Sequence, residues 1–227
     1  MTFANIIDHD RQKEILRRAL KNKRLAHAYL FEGPDGVGKR LMALALARSL
    51  FCTEGEGCGE CAPCRKVDHL NHPDLHLLTA EGAQIKIDQI RKLQQEISLR
   101  PLEGDVRICL IDGAEALNAA AANALLKTLE EPLPGTLLIL LSSNSEMLLD
   151  TIRSRCQCLR FNRLTRARLA AILEHRLNLS EQEAQVMAAL SNGSFKKAFG
   201  ENRSLYLERR KQLLKSLVSL SSGSVFP

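Results

Sequence analysis

Two stretches of this 227-residue sequence carry residue types whose spacing does chemistry. Gly33-x-x-Gly36-x-Gly38-Lys39 has the spacing of a phosphate loop. Glycines let successive backbone N–H groups turn toward one anion, the lysine adds a point charge, and a following helix adds its N-terminal dipole. Cys52, Cys58, Cys61 and Cys64 crowd the stretch 52–64. Overlapping C-x-x-C units let thiolates meet one tetrahedral ion at about 2.3 Å, which suits structural Zn²⁺. Disulfides are the alternative, and a reducing compartment disfavours them.

Two departures touch the chemistry of the first stretch. The phosphate-loop pattern asks for Ser or Thr after the lysine, because that hydroxyl ligates Mg²⁺; here the residue is Arg40. A guanidinium has no lone pair to give a metal and repels one nearby. Asp112, closing the apolar run 106–111, fits the carboxylate that holds hydrated Mg²⁺, but Gly113 follows it where a water-activating glutamate often stands. Glu115 substitutes only if the turn brings it back. ATP binding and a loop shape kept for folding alone both stay open, while Mg²⁺ and hydrolysis are disfavoured.

The elements around these residues alternate. A basic helix over 12–26 precedes a buried strand over 27–32, which runs into the glycine loop and a helix over 40–51. A helix over 88–99 closes before Pro101, and an alanine-rich helix over 119–129 stops at Pro132. Apolar strands over 106–111 and 136–141 complete the pattern, the second ending in Ser142-Ser143-Asn144. Alternating strands and helices predict a doubly wound α/β sheet, with Cys109 in a core strand and Cys158 packed inside. From residue 163 the pattern is helical only: 166–176, 181–189 and Phe195 onward. The expected organisation is an α/β domain over 1–162, a small three-helix domain over 163–204, and the start of a truncated C-terminal oligomerisation region over 205–227.

Composition agrees with a folded chain, at 45% hydrophobic and 26% charged residues. The net charge of +6 comes from the part after residue 150. Such an excess suits nucleic-acid phosphates or an ordinary solvated helix face. No apolar run reaches the roughly 18 residues of a membrane span, and the first ten residues lack a basic flank leading into an apolar core. A cytoplasmic address and no membrane partner are expected.

Several stretches together resemble the clamp-loader subunits of bacterial DNA polymerase III, within the AAA+ class. They are 26–31 before the loop, the four-cysteine insert, Asn123-Ala124-Leu125-Leu126-Lys127-Thr128-Leu129-Glu130-Glu131-Pro132, and Ser154-Arg155-Cys156. Lacking the hydroxyl at position 40 and the glutamate at 113, the chain looks like the delta-prime kind rather than the ATP-hydrolysing gamma/tau kind. The resemblance implies an AAA+ domain with a zinc insert and a helical lid. It implies gamma/tau and delta as partner subunits, with the sliding clamp and primed DNA reached through the complex, and DNA-directed DNA polymerase as the activity of the whole holoenzyme. Arg155 would be an arginine finger reaching a neighbour's nucleotide; its plain alternative is a surface arginine. Ser143 or Asn144 would be the polar sensor, or else a strand cap. Lys196, in Gly193-Ser194-Phe195-Lys196, would stand at the lid residue that reports on nucleotide, or else be an exposed helix-start lysine. The run 123–131 would include a subunit contact, or else simply pack on the sheet. Arg91, Lys92 and Arg100 would be DNA contacts, or else exposed charge. The rival functions are an active gamma/tau-type ATPase, an unrelated AAA+ helicase or remodeller, and a non-enzymatic zinc-binding module.

Overall fold

The computed structural model describes residues 2–199, without the side chain of Lys196; the expected segment 205–227 lies outside the described residues. The chain divides into two compact units, 1–162 and 163–227.

Unit one is built on five parallel strands: β1 (Ala28–Glu32), β2 (Leu75–Thr79), β3 (Arg107–Asp112), β4 (Thr136–Ser142) and β5 (Gln157–Arg160), in the order β2-β3-β4-β1-β5. Strands β1, β3 and β4 are buried along nearly their whole length, as expected for a parallel sheet covered on both faces. Alternation sorts their side chains. Tyr29, Phe31, Ile108, Leu110, Leu137, Ile139 and Leu141 face one core, while Ala28, Leu30, Cys109, Ile111, Leu138 and Leu140 face the other.

Helices α1 (Asp10–Lys21) and α2 (Lys39–Phe51) supply Leu16, Met42 and Leu46 to the first core. Helix α3 (Ala62–Asp68) follows in the cysteine insert. The second core takes Ile90 and Leu93 from α4 (Ile87–Ser98), Leu125 and Leu129 from α5 (Ala119–Glu130), and Ile152 from the short α6 (Asp150–Arg153).

Three expectations need correction. The first helix ends at Lys21 rather than at residue 26: Lys23 turns left-handed at φ 52° and Arg24 N–H bonds back to the Ala19 carbonyl, closing the helix. Two further strands, β2 and β5, are present. Both are short edge strands carrying polar residues, so neither has the continuous apolar run that marks β1, β3 and β4. Cys158 is exposed on β5 rather than packed inside.

Parallel pairing puts all the strand carboxyl ends on one edge, where ligands bind in open α/β sheets. Glu32 lies opposite Ser142, and Asp112 opposite Leu141. Residues 33–38, Asp112 and 142–144 therefore meet although distant in sequence.

Unit two, taken by itself, holds α7 (Arg166–Leu177), α8 (Glu181–Ser191) and α9 (Phe195–Phe199) among its described residues. Thr165 caps α7 through Arg168 N–H, and Ser180 with Glu183 forms a capping box on α8. Asn178 and Asn192 end these helices in the left-handed region at φ 48°, a conformation asparagine tolerates better than most residues. Lys196 sits in α9.

Candidate functional site

The loop between β1 and α2 is shaped by backbone geometry. Gly33, Gly36 and Gly38 have φ of 147°, 75° and 108°, and glycine reaches such values without the penalty a Cβ brings. Gly33 is also hemmed in, because a Cβ there would lie 2.0 Å from the Phe161 carbonyl oxygen. Its N–H donates to the Ser142 carbonyl at 3.1 Å, tying the loop to β4. Gly33→Ala is expected to cost about 1–3 kcal/mol from backbone strain alone, with the carbonyl clash in addition. A urea midpoint equal to the parent's would refute this.

A residue that sequence reasoning missed, His9, holds the other side of the loop. It is buried, its Nε2 donates to the Val37 carbonyl at 2.8 Å, and its ring meets Phe161 edge-on at 4.8 Å. No motif flags it, since its partner lies beyond α1 and β1 in the chain.

Lys39 begins α2 and is only 8% exposed. Its ammonium donates to the carbonyls of Gly33 and of Pro34, the latter at 2.9 Å, so the lysine is folded back on its own loop. Burial pulls its pKa below the ordinary lysine value, while Asp35, Glu115 and Asp112 partly oppose the shift. The positive charge thus has acidic company in the cleft.

Arg40 and Asp112 meet across the sheet edge, with a guanidinium nitrogen 3.3 Å from the Asp112 carboxylate. The turn after β3 does bring Glu115 back. Gly113 takes φ 79° and opens a 3₁₀ turn over Ala114–Ala116, so that Glu115 accepts from both the N–H (3.1 Å) and the hydroxyl of Ser143. Burial pushes the Glu115 carboxyl up, but the hydrogen bonds from Ser142 and Ser143 outweigh it and hold the group below its ordinary value. Asn144 acts as a cap: its side-chain oxygen accepts from Glu146 N–H at 3.2 Å.

Mg²⁺ does not fit this arrangement. Position 40 offers no hydroxyl, the carboxylate that would hold the ion is paired with a guanidinium, and Glu115 has one oxygen held by Ser143 and the other buried.

The cysteine insert fits a tetrahedral ion. Cys52 ends α2 with its N–H on the Arg48 carbonyl, and Cys61 is the N-cap of α3, which carries Cys64. Left-handed Gly55, Gly57 and Gly59 let the intervening chain turn tightly. Cys58 and Cys64 sulfurs are 4.0 Å apart, Cys61 and Cys52 sulfurs 3.9 Å, and all four lie within 4.8 Å of one another. Tetrahedral zinc at about 2.3 Å sets its sulfurs roughly 3.8 Å apart, whereas a disulfide needs about 2.05 Å. Backbone N–H groups of Cys58, Glu60 and Cys61 point at sulfurs at 3.3–3.4 Å, which favours thiolates. Arg48, 3% exposed and paired with Asp68, lies under Gly57 and Gly59. Cys109 is a core thiol, pushed by burial to about 12.

Arg155 sits just past α6. Its guanidinium is paired with Glu130 at the end of α5 (2.8 Å) and donates to the Thr151 carbonyl (3.0 Å), with its side chain 36% exposed. Neither partner belongs to the glycine loop. On α5, Leu125, Thr128 and Leu129 pack inward and Asn123, Lys127 and Glu130 face outward. Arg91, Lys92 and Arg100 are exposed, with Arg91 3.7 Å from Asp88.

A family model described as "DNA polymerase III, delta subunit" matches residues 8–165. DNA polymerase III subunit delta' of Bacillus subtilis (strain 168) is 39% identical over 210 residues, covering 90% of this chain and 63% of that protein. The chain belongs to the delta-prime family of DNA polymerase III subunits. DNA polymerase III subunit tau/gamma of Haemophilus influenzae is 34% identical over 177 residues, covering 77% of this chain and 26% of that protein. Among solved structures, a DNA polymerase III gamma subunit-related protein of Thermotoga maritima matches with a TM-score of 0.60 at 23% identity, covering 91% of this chain and 62% of that one. That likeness bears on the fold alone, and the fold is the P-loop AAA+ parallel sheet expected from the sequence. This delta-prime family member therefore spans a little under two thirds of the Bacillus relative's length. Among the described residues, no helix is long and apolar enough to cross a membrane.

Proposed function

We propose that this chain works as a delta-prime subunit of the DNA polymerase III clamp loader. It joins gamma/tau and delta subunits in a ring that loads the sliding clamp onto primed DNA. It hydrolyses no ATP of its own, and it offers Arg155 to the nucleotide held by a neighbour. Zinc in the Cys52, Cys58, Cys61, Cys64 insert is structural.

The observation that carries this reading is the Arg40–Asp112 pair. Family membership alone is compatible with a hydrolysing subunit, since gamma/tau relatives also match. A metal-assisted phosphoryl transfer needs its carboxylate free to hold the hydrated ion, and here that carboxylate is neutralised from within the chain. Arg155 lies outside the chain's own loop, in a half-exposed position a neighbour's phosphate can reach. Its planar fork, always charged, suits the charge that develops on a γ-phosphoryl group.

The test separates self-catalysis from assembly. Purified alone with Mg²⁺ and ATP, the zinc-loaded protein is expected to turn over no more than a buffer control. Mixed with gamma/tau and delta, it is expected to co-elute as one complex whose ATPase exceeds that of the mixture lacking it. Brisk turnover by the protein alone would favour the gamma/tau-type reading, and failure to co-elute would overturn the ring reading.

A further inference from the structure

We propose that Arg40 takes the place of the metal, so that the glycine loop binds a polyphosphate anion without any divalent cation. The inference deepens the reading of a nucleotide site that does not hydrolyse, and it rests on that reading.

The cleft already holds its own cations. Lys39 and Arg40 are adjacent at the first turn of α2, a 13-residue helix whose N-terminal dipole points at the loop. Lys39 spends its donors on the loop carbonyls of Gly33 and Pro34. These are neutral acceptors, which an anion replaces with a charge-assisted bond. Arg40 has five N–H donors, and the contact that holds it to Asp112 is 3.3 Å, long beside the 2.7–2.9 Å typical of N⁺–H···O⁻ bonds. Its side chain is 41% exposed. The guanidinium can therefore turn part of its fork to a phosphate while keeping Asp112.

A divalent cation has the opposite experience. It would approach two positive charges, Asp112 is paired with Arg40, and Glu115 has one oxygen held by Ser143 and the other buried. In a metal-dependent loop the ion bridges the phosphate oxygens to the protein. Here the bridge from phosphate to Asp112 is made of guanidinium.

The glycine loop recognises phosphate, and a nucleotide or free pyrophosphate presents the same group. Calorimetric titration of the zinc-loaded protein with ATP, ADP and inorganic pyrophosphate, each in EDTA and in excess Mg²⁺, separates the sources. For the parent, affinity in EDTA is expected to equal or exceed that in Mg²⁺. Tighter binding of ATP and ADP than of pyrophosphate identifies a nucleotide; equal binding identifies a polyphosphate site.

Two variants sharpen the result. Asp112→Asn removes the group that competes for Arg40, so affinity in EDTA is expected to hold or rise, whereas a metal-bridged site would lose affinity in Mg²⁺. Arg40→Thr supplies the missing hydroxyl and frees Asp112. Its affinity in EDTA is expected to fall at least about 10-fold and to be recovered by Mg²⁺, with an unchanged urea midpoint as the folding control. The proposal is overturned if the parent binds only with Mg²⁺, if Arg40→Thr binds equally in EDTA, or if none of the three probes binds. ATP turnover by the protein alone would instead sink the non-hydrolysing reading beneath it.

Discussion

Arg155→Ala, placed in the assembled complex, is expected to lower ATP turnover by about 10³-fold at the site that receives it, the order by which arginine fingers act in well-studied NTPases. Assembly should survive. The pair with Glu130 is half-exposed, and such pairs contribute about 0–1 kcal/mol to stability. The hydrogen bond to Thr151 caps only the four-residue α6. Loss of turnover with an unchanged elution volume is therefore the expected signature, read by steady-state ATPase beside size-exclusion chromatography. Arg155→Lys keeps the charge but loses the planar fork, and is expected to recover only a small part of the rate. The finger role fails if the alanine variant turns over ATP at the parent rate in an intact complex.

The second large effect concerns the cysteine insert. Stripping the metal, or replacing the buried Cys64 by serine, is expected to destabilise the protein by more than about 4 kcal/mol, as the loss of a structural metal commonly does. The damage should begin locally. Without an ion, the residues between α2 and α3 have little packing of their own, because Cys58 is exposed and Gly55, Gly57 and Gly59 contribute no side chains. That stretch covers Arg48, whose Nε and one terminal nitrogen are buried without a hydrogen-bond partner. When the cover opens, water reaches a buried charge and the end of α2 frays. Amide exchange is expected to rise first over 52–64 and the end of α2, with the strands following only as denaturant is added. Metal analysis should find one zinc per parent chain and none for Cys64→Ser. A parent chain that holds no zinc, or a variant as stable as the parent, would refute the assignment.

Chemistry carried by neighbours in the chain was legible in the sequence. The glycine spacing of 33–38, the four cysteines, and the departures at Arg40 and Gly113 lie within short windows, where backbone freedom and ligand reach depend on local geometry. The three buried strands announced themselves for the same reason, each being one continuous apolar run. Edge strands β2 and β5 did not, because a strand with one open side carries polar residues that a pattern reading assigns to loops.

What the tertiary structure decided is the company each group keeps. Arg40 and Asp112 are 72 positions apart, yet β3 ends beside the start of α2 and joins the departure at position 40 to the carboxylate that fits the pattern, as one ion pair. Glu115 is engaged by Ser143 and His9 grips Val37 only because parallel strands bring their carboxyl ends and the following turns to one edge, while Arg155 rests on Glu130 because the segments leading into β5 and β4 meet near the strands' amino ends. Residue type sets what a side chain is able to do. Which charge is free and which is neutralised follows from long-range packing of the sheet and its helices, and no short window of sequence contains it.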